Sequence, residues 1–138
     1  MKDKASDRVL FLNSRFSHKM KNDDLKARTR EYAVRIIRLF AALPKSAEAQ
    51  VIGKQMLRSG TSVGAHYRKS QFAGSDPDLI SKIEVGLQEL EETAYWLEIL
   101  EDISIFPTER TRPLKDETSQ LTAIFVTIVK KVKARQNS

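Results

Sequence analysis

An all-α fold, an up-down four-helix bundle, is what this sequence predicts, and three observations predict it. Apolar residues return at intervals of three and four along four segments of about 20 to 28 residues, the spacing that lines one face of a helix. Pro44, the Ala73-Gly74-Ser75 turn and Pro107 punctuate the joints between them. No segment alternates apolar and polar residues for long enough to make a central strand, and four amphipathic helices on short connections satisfy their faces by packing together.

Each helix can be justified in order. The first is expected to start after Asp23 or Asp24, either of which can cap it, and to end at Pro44. Leu25, Tyr32, Ile36, Leu39, Phe40 and Leu43 form its apolar face, while Arg28, Glu31, Arg35 and Arg38 fall on another. Ser46 starts the second helix, with Ala49, Ile52, Met56 and Val63 along one side and Leu57, Gly60 and Gly64 on a neighbouring stripe. It is expected to run to about Phe72. Ser75-Asp76-Pro77-Asp78 is a strong helix start: a capping serine, a proline where the first turn accepts one, and acids at the positive dipole end. Ile80, Ile83, Leu87, Leu90, Ala94 and Leu97 then form a heptad seam. Tyr95, Trp96, Ile99 and Ile103 widen it, and Ile105-Phe106-Pro107 closes the helix. After Pro113, Leu114, Thr118, Leu121, Phe125, Ile128 and Val132 repeat the spacing, and Lys130, Lys131, Lys133 and Arg135 place positive charge at the negative end of the last helix. The bundle domain is thus expected over 23–138. Residues 1–22 read separately, as a basic arm with an apolar patch at Val9-Leu10-Phe11-Leu12: a mobile arm, an expression remnant or a segment that docks on a neighbouring subunit.

Gly60 and Gly64 stand four residues apart inside the second helix. A helix-interior glycine costs about 1 kcal/mol against alanine, so a pair of them calls for the close approach of another backbone. Together with Tyr95 and Trp96, they are candidates for helix packing or subunit contact.

Composition narrows the function. A length of 138 residues with 41% hydrophobic residues is enough for one domain with a real core. No cysteine is present, so neither disulfides nor thiolate metal sites enter. The start Met1-Lys2-Asp3-Lys4 is charged with no apolar run of signal-peptide length after it, and the apolar stretches near Ile36–Leu43 and Ala123–Val129 are too short to span a bilayer. A cytoplasmic protein with no membrane partner is expected. The net charge of +6 is unevenly spread: residues 76–105 hold nine Asp/Glu against one Lys, and the three segments around them are all net basic. Such asymmetry serves either charge complementarity within and between chains or a basic surface for a polyanion.

At this point the residues resemble a family. Gln55–Ala65, the Leu79-Ile80-Ser81-Lys82 start and Glu91-Glu92-Thr93-Ala94-Tyr95-Trp96-Leu97-Glu98-Ile99-Leu100 look like the 23S rRNA intervening-sequence protein family, over about Arg30 to Lys133. The resemblance implies a homopentamer of four-helix bundles ringed around an axis. It also implies, through a related accessory protein of diversity-generating retroelements, a basic assembly that binds nucleic acid and a reverse transcriptase. It implies no reaction. The chain departs from the family after Gly64-Ala65, where Asn, an aliphatic residue and then an acid three positions after the Asn are usual and His66, Tyr67 and Lys69 stand instead.

Catalytic and metal chemistry find little footing. A di-iron bundle needs Glu three residues before His, but Arg15 and Val63 precede the two histidines, His18 and His66. No zincin motif, phosphate-binding loop or nucleophile elbow occurs. We expect no cofactor, no metal and no enzymatic activity. The acidic run of the third helix reads as a solvated or charge-pairing face. The basic residues are the functional candidates: Arg28, Arg35, Arg38, Lys54, Arg58, Arg68 and Lys69, which suit RNA or DNA phosphates without sequence reading. The alternative is a scaffold or adaptor that self-assembles and docks a protein partner without nucleic acid.

Overall fold

The computed structural model describes residues 22–137, which form four helices with no strand among them. They are α1 (Asn22–Ala41), α2 (Ala47–Ser70), α3 (Asp76–Asp102) and α4 (Thr108–Gln136). The expected arm, residues 1–22, lies outside the described residues except for Asn22.

Cross-helix pairs fix the direction of every neighbour. Thr29 and Ile36 of α1, and Leu43 just beyond its end, meet Gly64, Gly60 and Gly53 of α2, so the two run antiparallel. Ser59 of α2 bonds Thr93 of α3, while His66 lies beside Gly86. Glu101 and Asp76 of α3 bond Lys115 and Arg135 of α4. Arg28 of α1 bonds Gln120 of α4, and Arg35 and Leu39 border Arg110, Pro113 and Leu114, so these two also run antiparallel and close the up-down bundle.

The helix ends follow local chemistry. α1 already includes Asn22, the first described residue, ahead of the start expected after Asp23 or Asp24, and Asp23 and Asp24 lie in its first turn toward the positive dipole end. The Ser75 hydroxyl accepts the Asp78 amide at 3.2 Å, the expected cap of α3. α2 stops at Ser70, two residues short of Phe72, which is left exposed beyond it. α4 differs most: it starts at Thr108, and Pro113 sits inside it rather than before it. Ser104, at φ 63°, makes the left-handed turn out of α3.

The core also departs from the heptad reading of α3. Gly86 and Thr93 face inward with Ile83, Leu90, Leu97 and Leu100, whereas Leu87 and Ala94 are only half-buried. Gly86 leaves room for the Phe125 ring, since a methyl there would lie 2.8 Å from Phe125 Cε2. Thr93 is buried because its hydroxyl is satisfied twice, by Ser59 at 2.7 Å and by the Glu89 carbonyl at 2.7 Å.

Candidate nucleic-acid interface

Two grooves flank α1, and arginines rim both. Between α1 and α2 a groove of about 270 Å3 is lined by Thr29, Ala33, Thr61, Gly64 and Ala65, with Arg30 and Arg68 at its edges. It exists because the α2 residues facing α1 are so small. A methyl at Gly64 would come within 3.0 Å of Thr29 Oγ1, and one at Gly60 within 2.7 Å of Ile36 Cγ1. Gly53 continues the same stripe against Leu43. The second groove, about 230 Å3 between α1 and α4, is lined by Arg35, Leu39, Arg110, Pro113 and Leu114. Among the described residues neither lining contains a carboxylate. Arg110 also lies over the Phe106 ring, its Cζ 5.4 Å from the ring centre, which holds its stem near the surface.

The other sequence candidates are placed elsewhere. Arg28 is bound within the chain: its Nε and Nη2 each donate to Glu117 at 2.7 Å, and Nη2 also donates to Gln120 at 2.8 Å. This fork–fork pair holds the guanidinium protonated still more firmly than usual, chiefly through the Glu117 hydrogen bond. Arg58 reaches across to α3, pairing Glu89 at 3.3 Å and also Glu92. Both are therefore engaged in holding helices together. Arg38, Lys54, Arg68 and Lys69 are exposed, Arg35 is half-buried, and none of the five forms an ion pair among the described residues. The structure thus gathers two arginine pairs, Arg30 with Arg68 and Arg35 with Arg110, rather than one patch of seven. Arg30 and Arg110 escaped the sequence reading because each pairs with a residue on another helix.

His66 stands on the α2–α3 side. Its partial burial pushes the imidazole below its ordinary value, and the nearby Lys69 and Lys82 push it the same way against the opposing Glu89. Among the described residues no carboxylate hydrogen bond orients it. Among the described residues no group of three His, Asp or Glu side chains comes together to hold a metal ion. No described helix is long and apolar enough to cross a membrane.

Tyr95 and Trp96 meet edge to face, with ring centres 4.9 Å apart at 66°. The Trp96 indole N–H donates to Glu92 at 3.2 Å, joining the Arg58 network, while Tyr95 remains 54% exposed. Tyr67, where the family usually has an aliphatic residue, is fully buried against Phe125 and donates its hydroxyl to Asn22 Oδ1 at 2.7 Å.

Acid collects on the opposite side. A groove of about 600 Å3 between α3 and α4 includes Glu91, Glu98 and Asp116 in its lining, with Lys115 as the only cation there among the described residues. Lys115 is already paired to Glu101 at 2.9 Å.

Comparison with known proteins agrees with this architecture. The family of 23S rRNA-intervening sequence proteins matches residues 21–127. This chain belongs to that family. A crystal structure of a protein of unknown function from the S23 ribosomal protein family, from Bacteroides thetaiotaomicron, is 35% identical with a TM-score of 0.75. The match covers 80% of this chain and 99% of that one. No curated protein matches. The 23S rRNA-intervening sequence match ends within α4, so the basic C-terminal turns of that helix lie beyond the matched span.

Proposed function

We propose that this protein is a non-enzymatic, homo-oligomeric four-helix bundle, a ring of five by family resemblance, that binds structured nucleic acid through its phosphates. The observation that carries the proposal is the pair of grooves beside α1, each rimmed by two arginines and, among the described residues, lined without a carboxylate. Guanidinium groups match phosphate geometry and need no base contact to bind. Repetition of α1 around a ring adds individually weak contacts into useful affinity. The family's name, which refers to 23S rRNA, makes a structured RNA the first ligand to try.

The test is RNA-hairpin binding by fluorescence anisotropy across a salt series, with R30E/R68E and R35E/R110E as variants. Each phosphate contact contributes roughly 0.9 to the slope of log affinity against log salt on a duplex. Each double reversal is expected to lower the slope by about 1 to 2 and weaken binding at least tenfold. Unchanged affinity in both variants would overturn the proposal.

A second reading has one observation in its favour. Tyr95 and Ile99 of α3 and Ile103 at its C-terminal cap follow one another at helical spacing, with Tyr95 and Ile103 exposed and Tyr95 against Trp96. Such a face suits subunit or protein contact, and a scaffold that uses it would ignore RNA.

A further inference from the structure

The acidic groove between α3 and α4 has an apolar floor with no described partner. Leu87, Ala94 and Val126 are half-buried in it, and Leu90 lies beneath. Its Glu91, Glu98 and Asp116 carboxylates are all exposed and form no ion pair among the described residues. The surface therefore presents an apolar strip with a negative border about 16 Å long on α3, from Leu87 to Glu98 at 1.5 Å per residue.

The sequence before α1 has the complementary pattern. Val9, Leu12 and Phe16 stand at positions i, i+3 and i+7, the anchor spacing with which an amphipathic helix enters a groove. Arg8 and Arg15 fall beside that stripe on the same flank, whereas Asp3 and Asp7 fall on the face opposite the stripe. Residues 1–21 carry six Lys/Arg against those two acids. The place where this segment joins the bundle also suits the groove. Asn22 accepts the Tyr67 hydroxyl, and the Tyr67 ring packs 5.9 Å from that of Phe125, the neighbour of Val126 at the groove's end. Ser17–Lys21, five residues, spans up to about 17 Å when extended, more than the ~10 Å width of the helix it must pass.

The geometry points to the chain's own segment Val9–Phe16 as the occupant of the α3–α4 groove, its apolar stripe on Leu87, Leu90 and Val126 and its arginines on the carboxylate border. Docked there, Arg8 and Arg15 are neutralised by the chain itself. The basic charge then open to a polyanion is that around α1.

Because the chain has no cysteine, S14C accepts a single nitroxide label on the full-length protein. The expected result is selective loss of the Leu87, Leu90 and Val126 methyl resonances, with those of Ile37 and Val51 retained. The same label in an E91K/E98K background is expected to restore the lost signals at least partly. Groove methyls that stay sharp in the first protein would overturn the proposal, as would losses unaltered by E91K/E98K. Mixing spin-labelled protein at natural isotopic abundance with unlabelled, methyl-enriched protein tests whose segment is bound. Sharp signals in that mixture support docking within the chain, and broadening in it would assign the groove to a neighbouring copy and overturn the proposal.

Discussion

Replacing Gly60 by alanine sets two physical effects of opposite sign against each other. Alanine favours a helix interior over glycine by about 1 kcal/mol, so an unconstrained site would gain stability. At Gly60 the added methyl would lie 2.7 Å from Ile36 Cγ1 and 2.9 Å from both Cδ1 and Cγ2. Carbon pairs prefer roughly 3.5–4.0 Å, so Ile36 or the helices must shift. Ile36 is fully buried and β-branched, which leaves its χ1 little freedom to move aside. Overpacking costs about 1–3 kcal/mol, and three approaches under 3.0 Å to one stiff side chain put this site at about 2–3 kcal/mol. The sum after the helix gain of about 1 kcal/mol is a loss of about 1–2 kcal/mol. For a chain of this length that lowers Tm by roughly 3–8 °C. The assay is urea and thermal unfolding followed by circular dichroism at one fixed protein concentration, since assembly makes stability concentration-dependent. Gly74→Ala is the control, because no atom of the described residues lies within 4 Å of a methyl there. Ile36→Ala should absorb the added methyl, so the double mutant is expected to be more stable than additivity allows by about 1 kcal/mol. A Gly60→Ala protein as stable as the parent or more so would refute the close-packing argument.

Three further outcomes follow from other contacts. Arg28→Ala removes the bidentate bond to Glu117 and is expected to cost about 1–2 kcal/mol, read from the urea midpoint, while leaving RNA affinity within about twofold. Burial raises the Tyr32 hydroxyl to about 12, so its contribution to stability is whole below pH 10 and falls as pH rises from 10 toward 12; Tyr32→Phe should flatten that alkaline loss. His66 is lowered, first by burial and then by Lys69, so the folded state prefers the neutral ring and stability should decline as pH falls below about 6.5. Lys69→Ala should make that decline shallower in unfolding curves measured between pH 7 and 5.

Much of the fold was legible because its signals are local. The Ser75 cap, the run of small residues on α2 and the intervals of three and four all act within one or two helical turns. What escaped was long-range. Counting heptads put Leu87 and Ala94 in the core, but hydropathy cannot see that a Ser59–Thr93 hydroxyl pair is cheap to bury, or that Gly86 makes space for Phe125. Pro113 looked like a helix start. Thr108–Arg112 precede it in the same helix, and Pro113, its sixth residue, leaves only the Glu109 carbonyl near the helix start without its i+4 amide donor. The basic candidates were legible as residues and not as a site. Arg28 and Arg58 are drawn into ion pairs with Glu117, Glu89 and Glu92, while Arg30 and Arg110 gain their role only from neighbours on other helices.

The most direct measurement of the central claim is light-scattering mass, taken alone and with a structured RNA hairpin, at low and at physiological salt. The account predicts a mass near five subunits that rises by whole RNA equivalents and still does so at physiological salt. A monomer, or an assembly whose mass RNA leaves unchanged at either salt, would contradict it.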